Sequence, residues 1–395
     1  MKIALVVPEY PPFNIGGGGV VFQALAEVYA EKHDVRVFTG HDLVRSNRIG
    51  LLETVQVTPT LRVLRYPLVP MFRSQAYMRS VPPPGLVALN KLRRDLVEWE
   101  PDVAHLHGIG YGIVDVVAWL LNRRNTPYIL TNHGLPITPD NKGVWVRGIY
   151  GVYRSLIAGR TLGKAGIVSG VSKSAALEIE RQCGYEIVVI PNGISRLPVV
   201  VPHEIMRLRR RFHLDEDEII VAAAGRLTHS KGFDVLVSAL KHLPDTRVVC
   251  VIAGDDGGEL GSLIRQSETL GQGHRVVFTG RLDRRELSSL LSLAAAVVIP
   301  SRSEPFGLVA LEAMSVMCRV IASDVDGLSD VVSDGVSILV KPGDPWELAR
   351  AITRAIGAGE LSEEERRIVS RALGDFDWYS IGERYLDLLA QVAHG

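Results

Sequence analysis

Short, unbroken apolar runs recur along the whole chain. KIALVV, DVRVFT, DVAHLH, PYILTN, GIVSG and EIVVI stand in the first half, and EIIVAAA, TRVVCVIAG, RVVFTG, AVVIP, RVIAS and SILV in the second. A strand with one wet face alternates apolar and polar residues, so continuous Val/Ile/Ala runs mark strands buried on both faces, as in a parallel sheet covered by helices. Helical segments separate most of them, and this rhythm leads to α/β doubly wound sheets. A chain of 395 residues accommodates two such domains. Prolines bracket LPVVVPH, residues 197 to 203, which places a first domain at 1–198 and a second at 199–374, with a cleft between them. DFDWYSIGERYLDLLAQV, within 375–395, is an amphipathic helical pattern with no strand after it, expected to cross back onto the first domain.

Charge and cysteine usage exclude several classes. The 44 basic and 44 acidic side chains cancel, which argues against a nucleic-acid binder. Their distribution is uneven: residues 1–198 carry 22 Lys/Arg against 15 Asp/Glu, net +7, and the remainder is net −7. Cys183, Cys250 and Cys318 form no CxxC pair, so neither a disulfide framework nor a zinc site is expected. The first apolar run is too short for a signal peptide, and no stretch is long enough to span a bilayer, which points to the cytoplasm.

Chemistry concentrates in two stretches of the second half. In PSRSEPFGLVALEAM, residues 300 to 314, a strand ends at Pro300 and a helix begins near Phe306 and Gly307. Glu304 precedes that helix and Glu312 lies within it among apolar residues. A buried polar group without partners costs about 2–7 kcal/mol, so something should hydrogen-bond both carboxylates; sugar hydroxyls would do so. The helix start at Phe306, Gly307 and Leu308 offers N–H groups and a positive dipole end to a phosphate. In AAAGRLTHSKGFDVLVSAL, residues 222 to 240, Arg226 and Lys231 follow the first strand of the second domain, at the sheet edge where such folds bind ligands. Two cations and a helix N-terminus make a diphosphate site. No acidic cluster nearby suggests a metal, and the DxD spacing of Asp324 and Asp326 is explained equally by a turn. Near the start, PPFNIGGGGVVF places four glycines after the first strand, either to approach a phosphate or to turn the chain.

These motifs resemble the retaining glycosyltransferases of family four, which have the GT-B fold of two Rossmann-like domains. The likeness runs through the glycine loop, NHG at 132 to 134, PNGI at 191 to 194, GRL followed by KG at 225 to 232, TGRL at 279 to 282 and the glutamate pair. It implies that Arg226 and Lys231 hold the diphosphate of a nucleotide-sugar donor, Glu312 the ribose, Glu304 the transferred sugar's hydroxyls and the backbone near Leu282 the base. Phe306, Gly307 and Leu308 would present backbone groups to the donor, and Gly17 and Gly18 would help stabilise its departing charge. His133 matches the family's active-site histidine, and His107, in HLHG, is a weaker candidate. The activity implied is sugar transfer to a hydroxyl of a sugar, glycan or lipid-linked acceptor, with retention and with neither metal nor cofactor.

The chain departs from the family pattern after the Glu312 helix, where Met317 and Arg319 occupy the usual Gly and Pro places and Asp326-Gly327 replaces a Gly-Gly pair. Because that loop lies near the sugar in the family, these changes bear on which donor is used. Basic, aromatic-rich stretches at 72–80 and 144–166 fit either solvated helices or a peripheral contact with the inner membrane face. Alternative readings are a nucleotide-sugar epimerase, a glycan phosphorylase and a non-catalytic nucleotide-sugar-binding scaffold. A dinucleotide-dependent dehydrogenase is excluded, because the glycine loop has no G-x-G-x-x-G frame and no acid ends the second strand.

Overall fold

The computed structural model describes residues 1–12, 17–41, 53–68, 84–133, 159–184, 187–332 and 336–394. Gly134 and the basic stretches 72–80 and 144–158 lie outside them. The chain forms two compact units, Met1–Gly193 with Trp378–Gly395, and Ile194–Asp377. The joins therefore fall at 193/194 and 377/378, not at 198/199 and 374/375. The proline-bracketed stretch already belongs to the second unit, where Ser288 Oγ donates to the Pro198 carbonyl at 2.7 Å and Arg284 Nη2 to the Ser195 carbonyl at 2.8 Å. The chain enters and leaves that unit side by side, Ile194 N–H donating to the Phe376 carbonyl at 2.7 Å.

Among the described residues the first sheet has eight strands: β1 (Lys2–Val7), β2 (Asp34–His41), β3 (Glu53–Thr58), β4 (Leu61–Pro67), β5 (Val103–His107), β6 (Tyr128–Asn132), β7 (Ile167–Gly170) and β8 (Val188–Val189). Their order is β3-β4-β2-β1-β5-β6-β7-β8, and of these strand pairs only β3/β4 is antiparallel. That hairpin is absent from the sequence expectation. ETVQVT of the edge strand β3 alternates polar and apolar residues, and LRVLRYP of β4, though mostly buried, is interrupted by Arg62 and Arg65, so a search for continuous apolar runs passes over both.

The second sheet contains β9 (Ile219–Ala224), β10 (Val248–Ala253), β11 (Val276–Gly280), β12 (Ala296–Ile299), β13 (Val320–Ser323) and β14 (Ile338–Val340). It is wholly parallel, ordered β11-β10-β9-β12-β13-β14. β5 and β10 are buried at every position, as their apolar runs imply, whereas β8, β11 and β14 keep part of their surface open. The order reverses at β9/β12, so the loops after these strands lie at the switch point where doubly wound sheets take ligands.

The last helix, Trp378–His394, packs against the first unit's helix Gly18–Ala30 and against β5 and β6. Its buried side chains include Ile381, Tyr385, Leu386 and Leu389. Burying each is worth about 1.5–3 kcal/mol, an upper estimate that fixes the segment where the sequence expected it.

Candidate active site

In the second unit the loop after β9 carries Arg226, and Lys231 ends a single 3-10 turn, His229–Lys231. Gly232 follows at φ +65°, where an added Cβ would lie 2.0 Å from the Pro300 carbonyl oxygen. Only glycine allows this approach, which presses the Lys231 loop onto the end of β12. Arg302 locks the same contact: both guanidinium nitrogens reach the Asp234 carboxylate, at 2.7 and 2.6 Å, and Nη1 also donates to the His229 carbonyl. Lys231 Nζ thereby comes to 2.5 Å from Glu304 Oε2, although 73 residues separate them. This ion pair is partly open, with 26% of the Lys231 side chain and 13% of the Glu304 side chain exposed.

The helix Leu308–Ser315 starts immediately beyond, entered through Gly307 in the left-handed region at φ +101°. It has no side-chain cap and no acid in its first turn, so no side chain of its own neutralises its positive end. Phe306 is buried and meets Phe376 edge-on at 6.0 Å, which anchors the turn, and Leu308 is half-buried.

Glu312, one turn into this helix, has its side chain 19% exposed, and Arg284 Nη1 lies 3.8 Å from Oε1. Arg284 belongs to the helix Arg284–Leu293, which follows Leu282 in the loop after β11. Burial pushes the Glu312 carboxyl up to about 7, with Arg284 opposing. A carboxyl held this way gains from hydroxyl donors, because they stabilise the ionised form that burial penalises.

The departures near this helix have structural roles of their own. Met317 occupies the left-handed C′ position at φ +58°; its N–H reaches the Met314 carbonyl at 2.9 Å, and the Cys318 N–H reaches the Ala313 carbonyl at 3.0 Å. This is a Schellman termination with methionine in place of the usual glycine. Arg319 turns to the helix Glu363–Gly374, pairing with both Glu365 oxygens at 2.7 and 3.1 Å and with the Gly359 carbonyl at 2.8 Å. Both residues follow the C-terminal end of this helix, the end opposite to Glu304. Asp324 accepts the Ser329 hydroxyl at 2.9 Å, a local turn bond.

In the first unit the helix Gly18–Ala30 starts at the glycine loop, also without a side-chain cap or an acid in its first turn. Gly17, its N-cap, has φ −63°, so no left-handed conformation requires glycine there. A Cβ on Gly18 would sit 3.3 Å from Phe22 Cε2 and 3.4 Å from Glu9 Oε1. Phe22 packs in turn on two histidines, 5.0 Å from the His107 ring and 5.3 Å from that of His133.

His133 follows β6 and is half-buried, while His105 and His107 project from β5 with no exposed surface. His107 Nδ1 and His133 Nε2 share a hydrogen bond at 2.8 Å. His105 bonds the Tyr29 hydroxyl at 2.9 Å and Thr131 Oγ1 at 2.7 Å, and Thr131 bonds Ser169. Burial lowers all three imidazoles, His133 to about 4, so each is neutral at pH 7.

Thus Lys231, Glu304 and Gly307 adjoin one another, Arg284 links the Leu282 loop to Glu312, and Gly18 stands beside the histidines through Phe22. Arg284, Phe22, Tyr29 and the Arg302–Asp234 clamp escape sequence reasoning. The His-x-His spacing of HLHG was the one available signal, since alternate residues of a strand share a face. Among the described residues no helix is long and apolar enough to cross a membrane.

Residues 205–372 match the family model described as glycosyl transferases group 1, and residues 15–196 match that of glycosyltransferase family 4. An uncharacterized glycosyltransferase of Methanocaldococcus jannaschii is 29% identical over 408 residues, covering 98% of this chain and 97% of that protein. A glycogen synthase of Mycobacterium tuberculosis is also 29% identical, over 410 residues, covering 96% and 92%. Among solved structures, the sucrose-phosphate synthase of Thermosynechococcus elongatus superposes with a TM-score of 0.76 at 24% identity, over 99% of this chain and 98% of that one. The likeness spans both sheets, and the fold is GT-B.

Proposed function

Because this chain belongs to the glycosyltransferases of group 1 and family 4, we propose that it moves a sugar from a nucleotide-diphosphate sugar to a hydroxyl acceptor with retention of anomeric configuration. The observation that carries this reading is the Lys231–Glu304 pair, at 2.5 Å, beside an uncapped helix N-terminus. A cation, a carboxylate and an uncapped helix start match a sugar hydroxyl next to a phosphate. Arg226, Lys231 and the N–H groups of Gly307 and Leu308 hold the diphosphate. Glu304 accepts from the sugar's hydroxyls and Glu312 from those of the ribose, and the backbone at Leu282 meets the base. Gly17 and Gly18 add N–H groups toward developing phosphate charge, and His133 touches the reacting sugar.

In the proposed step the bond from the anomeric carbon to the phosphate oxygen breaks while the acceptor oxygen bonds that carbon on the same face. The acceptor's proton passes to the departing phosphate, so no protein base is consumed. The side-chain cations and helix dipole stabilise the charge that develops, and the reading assigns the step no metal. The acceptor is a sugar, glycan or lipid-linked hydroxyl.

A thermal-shift screen of nucleotide-diphosphate sugars identifies the donor, since a ligand of the native state raises the melting temperature by mass action. Proton NMR of the earliest product then reads the anomer. An inverted product sinks retention, loss of activity in EDTA sinks metal independence, and undiminished transfer by Glu304→Gln sinks the site assignment.

A further inference from the structure

His107 is fully buried and makes no direct appearance in the reaction proposed above. Its ring neighbours that of His105, centroids 3.9 Å apart, and that of Phe22, at 5.0 Å. Its Nδ1 is 2.8 Å from His133 Nε2, and among the described residues its Nε2 has no hydrogen-bond partner. His105 cannot supply one, since Tyr29 and Thr131 occupy both of its nitrogens.

With every imidazole neutral, each ring carries one N–H and one lone pair. Two proton arrangements satisfy the His107–His133 bond. If His107 donates from Nδ1, its buried Nε2 is a bare lone pair, and the His133 proton lies on Nδ1. If His133 donates from Nε2, the His107 proton is on Nε2 as a buried donor without an acceptor, and His133 Nδ1 is a lone pair. An orphaned buried N–H is the rarer of the two defects. The first arrangement is therefore favoured.

We propose that His107 is a positioning residue: by donating Nδ1–H to His133 Nε2, it fixes His133 as the Nδ1–H tautomer, which meets its ligand as a hydrogen-bond donor and not as a base. The functional half of this inference rests on the glycosyl-transfer reading, whereas the tautomer does not. An Nδ1–H can stabilise negative charge growing on a sugar or phosphate oxygen, in keeping with a step whose proton goes to the leaving group.

The test uses the full chain labelled with ¹⁵N-histidine, long-range ¹H–¹⁵N spectra of the ring nitrogens, and His133→Gln to assign the His133 signals. Two variants separate the hydrogen bond from the packing. His107→Asn keeps an amide N–H near the Nδ1 position, and His107→Phe keeps a flat ring without a donor. Wild type and His107→Asn are expected to show His133 as Nδ1–H, and His107→Phe to release it to Nε2–H. In transfer assays His107→Phe is expected to lose about tenfold in kcat at unchanged donor KM, the scale of one lost hydrogen bond, while His107→Asn stays near wild type.

Wild-type His133 in the Nε2–H form overturns the inference, as does an unchanged tautomer in His107→Phe. A changed tautomer with unchanged kcat overturns the positioning role. If wild type binds no nucleotide sugar, it is the transfer reading that fails, and the ring spectra still decide the tautomer.

Discussion

Glu312 ties donor binding to pH. Its carboxyl is pushed up to about 7 by burial, with Arg284 3.8 Å away opposing. If ribose hydroxyls donate to it, the bound form needs the carboxylate, and binding releases the proton the empty site holds below pH 7. Affinity then scales with the ionised fraction: about 0.9 at pH 8, half at pH 7 and about 0.1 at pH 6, a tenfold loss worth about 1.4 kcal/mol. Calorimetry with the intact nucleotide sugar is the assay, because its phosphates, unlike a free diphosphate's, do not titrate in this window. Glu312→Gln should bind weakly and without this pH dependence. The same raised carboxyl gives the fold a contribution that is full below the ordinary carboxylate range and lost as pH rises through about 7. Glu312→Gln should therefore be more stable than wild type at pH 8, by about 1–3 kcal/mol. In a unit of this size that is a few degrees of melting temperature. A wild-type affinity flat between pH 6 and 8, or a Gln variant with the wild-type profile, refutes the reasoning.

Other expectations follow from particular contacts. Met317→Gly should raise stability by about 1 kcal/mol, because a non-glycine residue at φ +58° carries a left-handed penalty of about 1–2 kcal/mol and loses only a half-buried side chain; chemical denaturation reads it. Gly18→Val should impair transfer at least tenfold through pressure on Phe22 and the histidines behind it, with the circular dichroism of a folded chain; unchanged activity reduces the glycine loop to a turn. Lys231→Met should weaken nucleotide-sugar binding about a hundredfold or more, since it removes a cation from the diphosphate and leaves Glu304 without its partner, and equal affinity in a competition titration would count against the site.

Much of this architecture was legible in the chain itself. The twelve strands read from apolar runs are all present among the described residues, β8, β11 and β14 with part of their surface open, whereas the β3–β4 hairpin, whose strands are broken by polar residues, left no such run. Lys231 and Glu304 were readable because each lies in a short motif bounded by a strand end and a helix start, a local arrangement that fixes position at the sheet edge. Their union across 73 residues needed the parallel register of β9 with β12 and the Gly232 approach to Pro300.

The sequence by itself determined twelve strands of the two doubly wound sheets and the returning helix, and it offered the candidate site residues, because periodicity and turn chemistry act over a few neighbours. Tertiary structure alone decided which groups meet. Arg284 reaches Glu312, Arg319 turns away to Glu365, and His107 stands behind His133, 26 positions apart in sequence. The protonation of those groups follows from the meeting, since burial and neighbouring dipoles are properties of the packed molecule, and no stretch of chain carries them alone.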